Sequence, residues 1–201
     1  PTLEDLKNPL DEVIEPRATQ EEMTNFIETE LTESLKGLPT RTTQFGRFDK
    51  GLAYTILMKY YMHEKNWAKA EECGRELLKA EYGYGLMDRY ADIFTLENEG
   101  NKEIIFACTE ERGTNLQLWH DHALPGNYPT KNASIQKWDG YKVPWPFYRT
   151  FEEGDDRLSV LVGEYVGTDG VLFNEESDIA KHGNLYSGAV PVKYGEDPES
   201  T

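Results

Sequence analysis

From Gly51 to Ala80 apolar residues recur with a period near 3.6, in two runs joined by Glu64-Lys65-Asn66. In the first run Ala53, Ile56, Leu57, Tyr60 and Tyr61 fall at i, i+3, i+4, i+7 and i+8. In the second, Trp67, Ala70, Gly74, Leu77 and Leu78 do much the same. Each set lies on one face of a helix, and Lys59, Lys69, Glu71, Glu72, Arg75 and Lys79 fall largely outside it. A turn this short sends the second helix back along the first, so the two stripes meet. The small Ala53, Ala70 and Gly74 permit close approach, and Trp67 is placed to cover the turn. Two helices of this length cannot bury both of their faces alone. The pattern therefore predicts a tetratricopeptide-like unit that needs a further helix pair or layer, against the plainer alternative of a helical hairpin in an ordinary core.

Upstream, Thr19-Gln20-Glu21-Glu22 fits a capping box, in which Thr19 and Glu22 reciprocally satisfy free backbone N–H groups. Met23, Phe26, Ile27, Leu31, Leu35 and Leu38 trace the stripe of the helix that follows, until Gly37 and Pro39 stop it. Asp49 is placed to cap the next helix, and the first helix is the expected neighbour of the hairpin. Pro1 to Pro16 is a lead-in, with a helical turn expected at Leu3-Glu4-Asp5-Leu6. Beyond Ala80 the texture changes. Tyr82-Gly83-Tyr84-Gly85 ends the second helix, and Glu103 to Cys108 is a β-prone run suited to a buried strand or extended segment. No helical stripe appears from Thr109 to Tyr148. Phe147 to Phe151 predicts one helical turn, Ser159 to Tyr165 a strand, and Gly167-Thr168-Asp169-Gly170 a turn. The remainder is loop-rich and completes no core, which implies missing C-terminal structure. The expected organisation is a lead-in over 1–18, a tetratricopeptide-like helical scaffold over 19–100 and a loop-rich ligand-binding region over 101–201. The fold class is mostly α, with a few short strands in the aromatic-rich region.

Composition narrows the partners. The 201 residues are 38% hydrophobic and 12% aromatic, and 21 Lys and Arg face 37 Asp and Glu for a formal charge of −16. Such a chain repels phosphate backbones and anionic lipid heads, so nucleic acid is not an expected partner. Acidity names no positive partner. Cys73 and Cys108 both read as small buried side chains; their pairing is open, and two cysteines do not make a disulfide scaffold. No apolar run is long enough for a membrane span and none reads as a signal peptide, which in a chain that begins with Pro1 says nothing of targeting. The chain begins with Pro1 and reads as part of something longer.

The candidate chemistry lies in the stretch without helical periodicity. Trp119, Tyr128, Trp138, Tyr141, Trp145, Phe147 and Tyr148 gather there. Sugar rings present apolar C–H faces that stack on flat indole and phenol rings, with polar neighbours holding the hydroxyls. Asn115, Gln117, His120, Asp121, Asn127, Asn132, Gln136 and Asp139 are available for that. The alternative for each ring is that it packs an irregular loop. His120-Asp121-His122 places two imidazoles on one side of an extended segment, but no third or fourth ligand is in evidence, so no metal is expected. Glu152, Glu153, Asp155 and Asp156 do not show the separated pair, one with a raised pKa, that glycoside hydrolysis needs; a helix-terminus or calcium-binding role is equally open. Gly83-Tyr84-Gly85 lacks the third glycine and preceding strand of a phosphate-binding loop. No catalytic residue, cofactor or nucleophile elbow is expected.

Several stretches, in order and spacing, resemble the SusD/RagB family of Bacteroidota surface lipoproteins. They are Pro16-Arg17-Ala18-Thr19-Gln20-Glu21-Glu22, Gly46-Arg47-Phe48-Asp49-Lys50-Gly51-Leu52-Ala53-Tyr54 and Asn66-Trp67-Ala68-Lys69-Ala70. Tyr90-Ala91-Asp92-Ile93-Phe94, Glu97-Asn98-Glu99, Glu103-Ile104-Ile105-Phe106, Asp155-Asp156-Arg157 and Pro191-Val192-Lys193-Tyr194 extend the match. The resemblance implies a SusD-like fold of helix pairs carrying a loop-rich binding part. It implies a non-enzymatic oligosaccharide-binding component at the extracellular face of the outer membrane, held by a lipid anchor not present in this chain. It also implies a SusC-like TonB-dependent transporter as partner. Under that resemblance the expected ligand-binding residues are Trp119, His120, Tyr128, Trp138, Tyr141 and Trp145. A RagB-like peptide-binding importer component and a tetratricopeptide-type protein-interaction module are the alternatives. A hydrolase stands behind both.

Overall fold

The computed structural model describes residues 7, 16–110, 118–179, 181 and 183–196. The chain forms two compact units, Pro1–Arg41 with Phe48–Leu77 and Thr42–Arg47 with Leu78–Thr201. The turn expected at Leu3–Leu6 lies outside the described residues.

The first unit contains α1 (Gln20–Gly37), α2 (Lys50–His63) and α3 (Trp67–Leu77). The capping box is present: the Glu22 N–H donates to Thr19 Oγ1 at 3.2 Å, and the Thr19 N–H donates to Glu22 Oε2 at 2.8 Å. Asp49, itself buried, caps α2 by accepting from the Leu52 N–H at 3.0 Å. Between α2 and α3, Lys65 takes a left-handed φ of 58°, and the Asn66 N–H donates to the Tyr61 carbonyl at 2.8 Å to close the turn. Leu57 and Tyr61 of α2 pack on Ala70 and Cys73 of α3, and Leu31 and Leu35 of α1 lie against that cluster. The Tyr60 hydroxyl bonds Thr24 Oγ1 at 2.7 Å, and Lys69 reaches Glu28 at 3.0 Å. The first helix is thus the hairpin's neighbour, as its stripe predicts.

Some positions depart from the expected pattern. Ala53, Leu57 and Tyr61 are buried, whereas Ile56 at i+3 is exposed. The four-apart row forms the ridge facing the partner, which leaves the three-apart position at its edge. Trp67 is 63% exposed and does not cover the turn. The second helix ends at Leu77, short of Ala80, which leaves Leu78 in solvent. No residue of α1 is fully buried, and Phe26 on its stripe is 60% exposed.

The second unit opens on 3-10 turns at Ala80–Tyr82, Tyr90–Phe94 and Leu96–Asn98. Glu103–Cys108 forms no strand; Cys108 is exposed where a buried side chain is expected, and both cysteines are free. The core is built later, on α4 (Trp119–Ala123), β1 (Val143–Pro144), α5 (Trp145–Tyr148), β2 (Leu161–Val162), β3 (Glu164–Val166), β4 (Leu172–Asn174), α6 (Glu175–Ile179) and β5 (Gly188–Pro191). β5 lies between β1 and β2, antiparallel to both, with Val143 opposite Ala189 and Val162 opposite Val190. All four β5 residues are buried. A Cβ on Gly188 would run into the Val143 carbonyl, so only glycine lets β1 approach there. The loop-rich C-terminal stretch therefore does complete a core: Leu185, Ala189 and Val190 are fully covered, together with Ala123 and Leu124.

Around that sheet, β3 and β4 form a hairpin on the predicted Gly167–Gly170 turn. The expected strand from Ser159 begins instead as a 3-10 turn, Asp156–Val160, because Asp155 caps it by accepting from the Arg157 N–H at 2.9 Å. The single helical turn sits at Trp145–Tyr148, two residues earlier than the pattern places it. A mostly helical chain with a few short strands is the fold class the sequence predicts. Among the described residues, no helix is long and apolar enough to cross a membrane.

Leu57→Ala should lower the unfolding free energy by about 2–5 kcal/mol, whereas Trp67→Ala should change it by about 0.5 kcal/mol or less, as read by urea titration. A second prediction concerns Tyr165, whose ring stacks on Phe173 at 5.1 Å and whose hydroxyl donates to Asn127 at 2.8 Å. Burial pushes its phenol from 10.0 up to about 12. The stability this contributes is complete below the ordinary tyrosine value and is lost as pH rises through about 12. Tyr165→Phe should flatten that alkaline loss in a pH-dependent melting series.

Candidate functional site

The face on which most of the predicted rings converge is built by α4. Ala123 and the following Leu124 anchor it in the core, and Asp121 is buried beside them. Its carbonyls then take up the amides of a distant loop. The Trp138 N–H donates to Asp121 O at 2.5 Å, and the Asp139 N–H to Leu124 O at 3.0 Å. Gly140 and Tyr141 both donate to His122 O, at 2.6 and 3.1 Å. The Asp121 carboxylate adds a fifth bond, accepting from the Gln136 N–H at 2.7 Å. Within the loop, Lys137 and Asp139 both hold φ at 56°, a left-handed conformation that costs a non-glycine residue about 1–3 kcal/mol. Lys137 Nζ donates to the Tyr128 carbonyl at 2.8 Å, and Asp139 pairs with Lys142. Turning the chain sharply on both sides of Trp138 directs the indole away from the core, 51% exposed.

The rings form a continuous string. Trp138 meets His122 edge-on at 4.7 Å, and His122 lies 5.3 Å from Tyr141. Tyr141 lies 5.5 Å from Trp119, which meets Tyr194 edge-on at 5.6 Å. Phe94 continues the string 5.9 Å beyond Tyr194 and carries the Lys193 ammonium over its face at 4.4 Å. Two polar contacts fix the far end: Trp119 Nε1 donates to Pro191 O at 3.1 Å, and His120 Nε2 lies 3.0 Å from Tyr194 O. The end of β5 is thereby joined to α4.

The expected site residues divide. Trp138 and Tyr141 are exposed, the latter at 44%, while Trp119 and His120 are half-buried and hold the face together. Trp145 is not on it. Its indole is 7% exposed, packs in the core and donates to Leu185 O at 2.8 Å, so for this residue the packing alternative holds. Tyr128 also lies against the core, 5.0 Å from Tyr165, and burial pushes its phenol pKa up, with Glu196 adding to the shift. Among the polar candidates, Asn115 and Gln117 lie outside the described residues. Asn127 accepts from Tyr165 and Asn184, and the buried Asn132 holds the Ser134 N–H, so both serve local structure. Gln136 is exposed next to the Trp138 turn. The pattern missed Tyr194, which is 42% exposed and joins the face from more than fifty residues beyond Tyr141. It also missed His122 as a spacer between rings.

His120 and His122 stand on a helix rather than an extended segment, so their side chains diverge by about 200° around its axis. Among the described residues, no three His, Cys, Asp or Glu side chains gather as a metal site. In the carboxylate run, Asp155 is held by the Arg157 guanidinium at 2.6 Å, which brings its pKa down to about 2, opposite to what a general acid requires.

No protein-family model matches the chain, and no curated protein does. Solved structures do. Surface glycan-binding protein A from Bacteroides thetaiotaomicron, in complex with laminarihexaose, matches 88% of this chain and 42% of its own, at a TM-score of 0.63 and 17% identity. A SusD superfamily protein from Bacteroides fragilis matches 89% and 42%, at 0.62 and 16%. A SusD-like protein from the same species matches 70% and 28%, at 0.58 and 24%. At these identities the likeness is one of fold, and the fold is SusD-like. The chain spans less than half the length of each of these structures.

Trp145→Ala should cost about 3–5 kcal/mol of stability, whereas Trp138→Ala should cost about 1 kcal/mol or less, measured by thermal unfolding.

Proposed function

We propose that this chain, folded as part of a SusD-like protein, binds an oligosaccharide on the face made by Trp138, Tyr141 and Tyr194. The observation that carries the reading is a set of exposed rings on a held backbone: the Trp138 and Tyr141 amides are bonded to carbonyls of α4, and the Tyr194 carbonyl is held by the His120 imidazole. Preset rings spend little ordering entropy on binding, and their flat surfaces suit the C–H faces of sugars. The glycan complex of a structure with the same fold supports it. The protein acts by binding and not by turnover, as the glycan-delivering partner of a SusC-like TonB-dependent transporter. Its place is the extracellular face of the outer membrane, where a lipid anchor holds it.

Calorimetric titration with a panel of neutral oligosaccharides tests the reading. Trp138→Ala and Tyr141→Ala should each weaken binding at least about fivefold, the loss of roughly 1 kcal/mol expected for an exposed stacking ring. Binding of peptides with no response to any glycan would overturn the carbohydrate reading. Release of shortened sugars from the titrant would overturn the non-catalytic one.

A further inference from the structure

Within the glycan-binding reading, on which this inference rests, the distribution of charge bears on which sugars the chain takes. The formal charge of −16 is not spread evenly along the sequence. Residues 119–148 and 191–196 carry Trp119, His122, Trp138, Tyr141 and Tyr194. They hold four bases, Lys131, Lys137, Lys142 and Lys193, against three acids, Asp121, Asp139 and Glu196. That is a balance of +1, and the other 17 bases and 34 acids of the chain carry −17. The charge that repels anions therefore lies outside the two segments that bear the rings.

The three acids are engaged locally. Asp121 is buried and accepts from the Gln136 N–H, Asp139 pairs with Lys142, and Glu196 accepts from the Asn132 N–H. Two of the lysines have partners of another kind. Lys137 donates to the uncharged Tyr128 carbonyl at 2.8 Å, and Lys193 sets its ammonium 4.4 Å from the centre of the Phe94 ring. A ring attracts a cation through its quadrupole and holds it in place without cancelling its charge. Phe94 lies 5.9 Å from Tyr194, so the Lys193 ammonium is no more than 10.3 Å from the centre of the Tyr194 ring. A sugar stacked on Tyr194 thus has a fixed, uncompensated cation beside it. Exposed carboxylates elsewhere act on that sugar weakly, because their field is largely screened beyond about 8 Å at physiological ionic strength.

We infer that the chain takes an acidic glycan, with Lys193 Nζ pairing with an anionic group on the sugar next to Tyr194. Carboxylate and sulfate oxygens offer an ammonium the same charge-assisted hydrogen bond, so uronate and sulfated sugars share the chemistry.

Calorimetric titration compares hexagalacturonate with its methyl ester, and a κ-carrageenan hexasaccharide with its desulfated form. At least one acidic hexasaccharide should bind tenfold or more tighter than its neutral form at low salt, and added salt should shrink that ratio. Lys193→Met, which keeps an apolar stem against Phe94 but no charge, should cut the ratio at least fivefold. Lys193→Arg should keep it. Lys59→Met, which removes the same charge from the first unit, should leave it unchanged, and circular dichroism checks that all variants fold. The two acidic arms separate a carboxylate from a sulfate ligand. Acidic ligands bound no tighter than neutral ones overturn the inference and leave glycan binding standing, as does a preference that Lys193→Met fails to reduce. Failure of these ligands and of every neutral oligosaccharide to bind overturns both.

Discussion

The candidate face depends on one set of hydrogen bonds, in which the amides of Trp138, Asp139, Gly140 and Tyr141 are taken up by the carbonyls of Asp121, His122 and Leu124. Each such bond is worth about 1 kcal/mol net, comparable with the strain of one left-handed non-glycine residue, and the loop contains two of these at Lys137 and Asp139. A helix of five residues is not stable alone, so the acceptor side must be held by something larger. Ala123 and Leu124, among the most completely covered residues of the second unit, provide that hold. Core burial thus fixes α4, α4 fixes the loop, and the loop turns its indole outward.

The sheet supplies the second support. β5 is the buried middle strand, and the chain leaving it carries Tyr194 directly to α4, where Trp119 and His120 bond to the carbonyls of Pro191 and Tyr194. Trp145 shows how position rather than residue type decides a ring's role. It starts α5 next to β1, and its N–H is spent on Leu185 in the core. Trp138, only seven residues earlier, sits between two left-handed steps and is displaced outward.

What the sequence discloses follows from the range of the interactions involved. The helices of the first unit are local objects, and the Thr19–Glu22 box, the Asp49 cap and the 3.6 period place their starts almost to the residue. The exposure of Ile56 and Trp67 is not local, since it depends on which rows of α2 and α3 become the packing ridges. In the second unit the ring-rich stretch stands out by composition, and Trp119, His120, Trp138 and Tyr141 do come together. Neither α4, too short to show a period, nor the pairing of its carbonyls with residues 138–141 leaves a mark on the pattern. Tyr194 joins through β5, whose four residues Gly-Ala-Val-Pro carry no alternation because both faces are buried. That same lack of alternation makes the C-terminal stretch read as loop.

The central claim is that the exposed rings stand on a backbone already fixed before any ligand arrives. Residue-resolved amide hydrogen exchange on the unliganded chain tests it directly. The amides of Trp138, Asp139, Gly140 and Tyr141 should exchange as slowly as those of Val190 in β5, and far more slowly than that of Gly154 in its exposed turn. Exchange of these four amides at the rate of an unstructured chain, with Val190 still protected, would contradict the account.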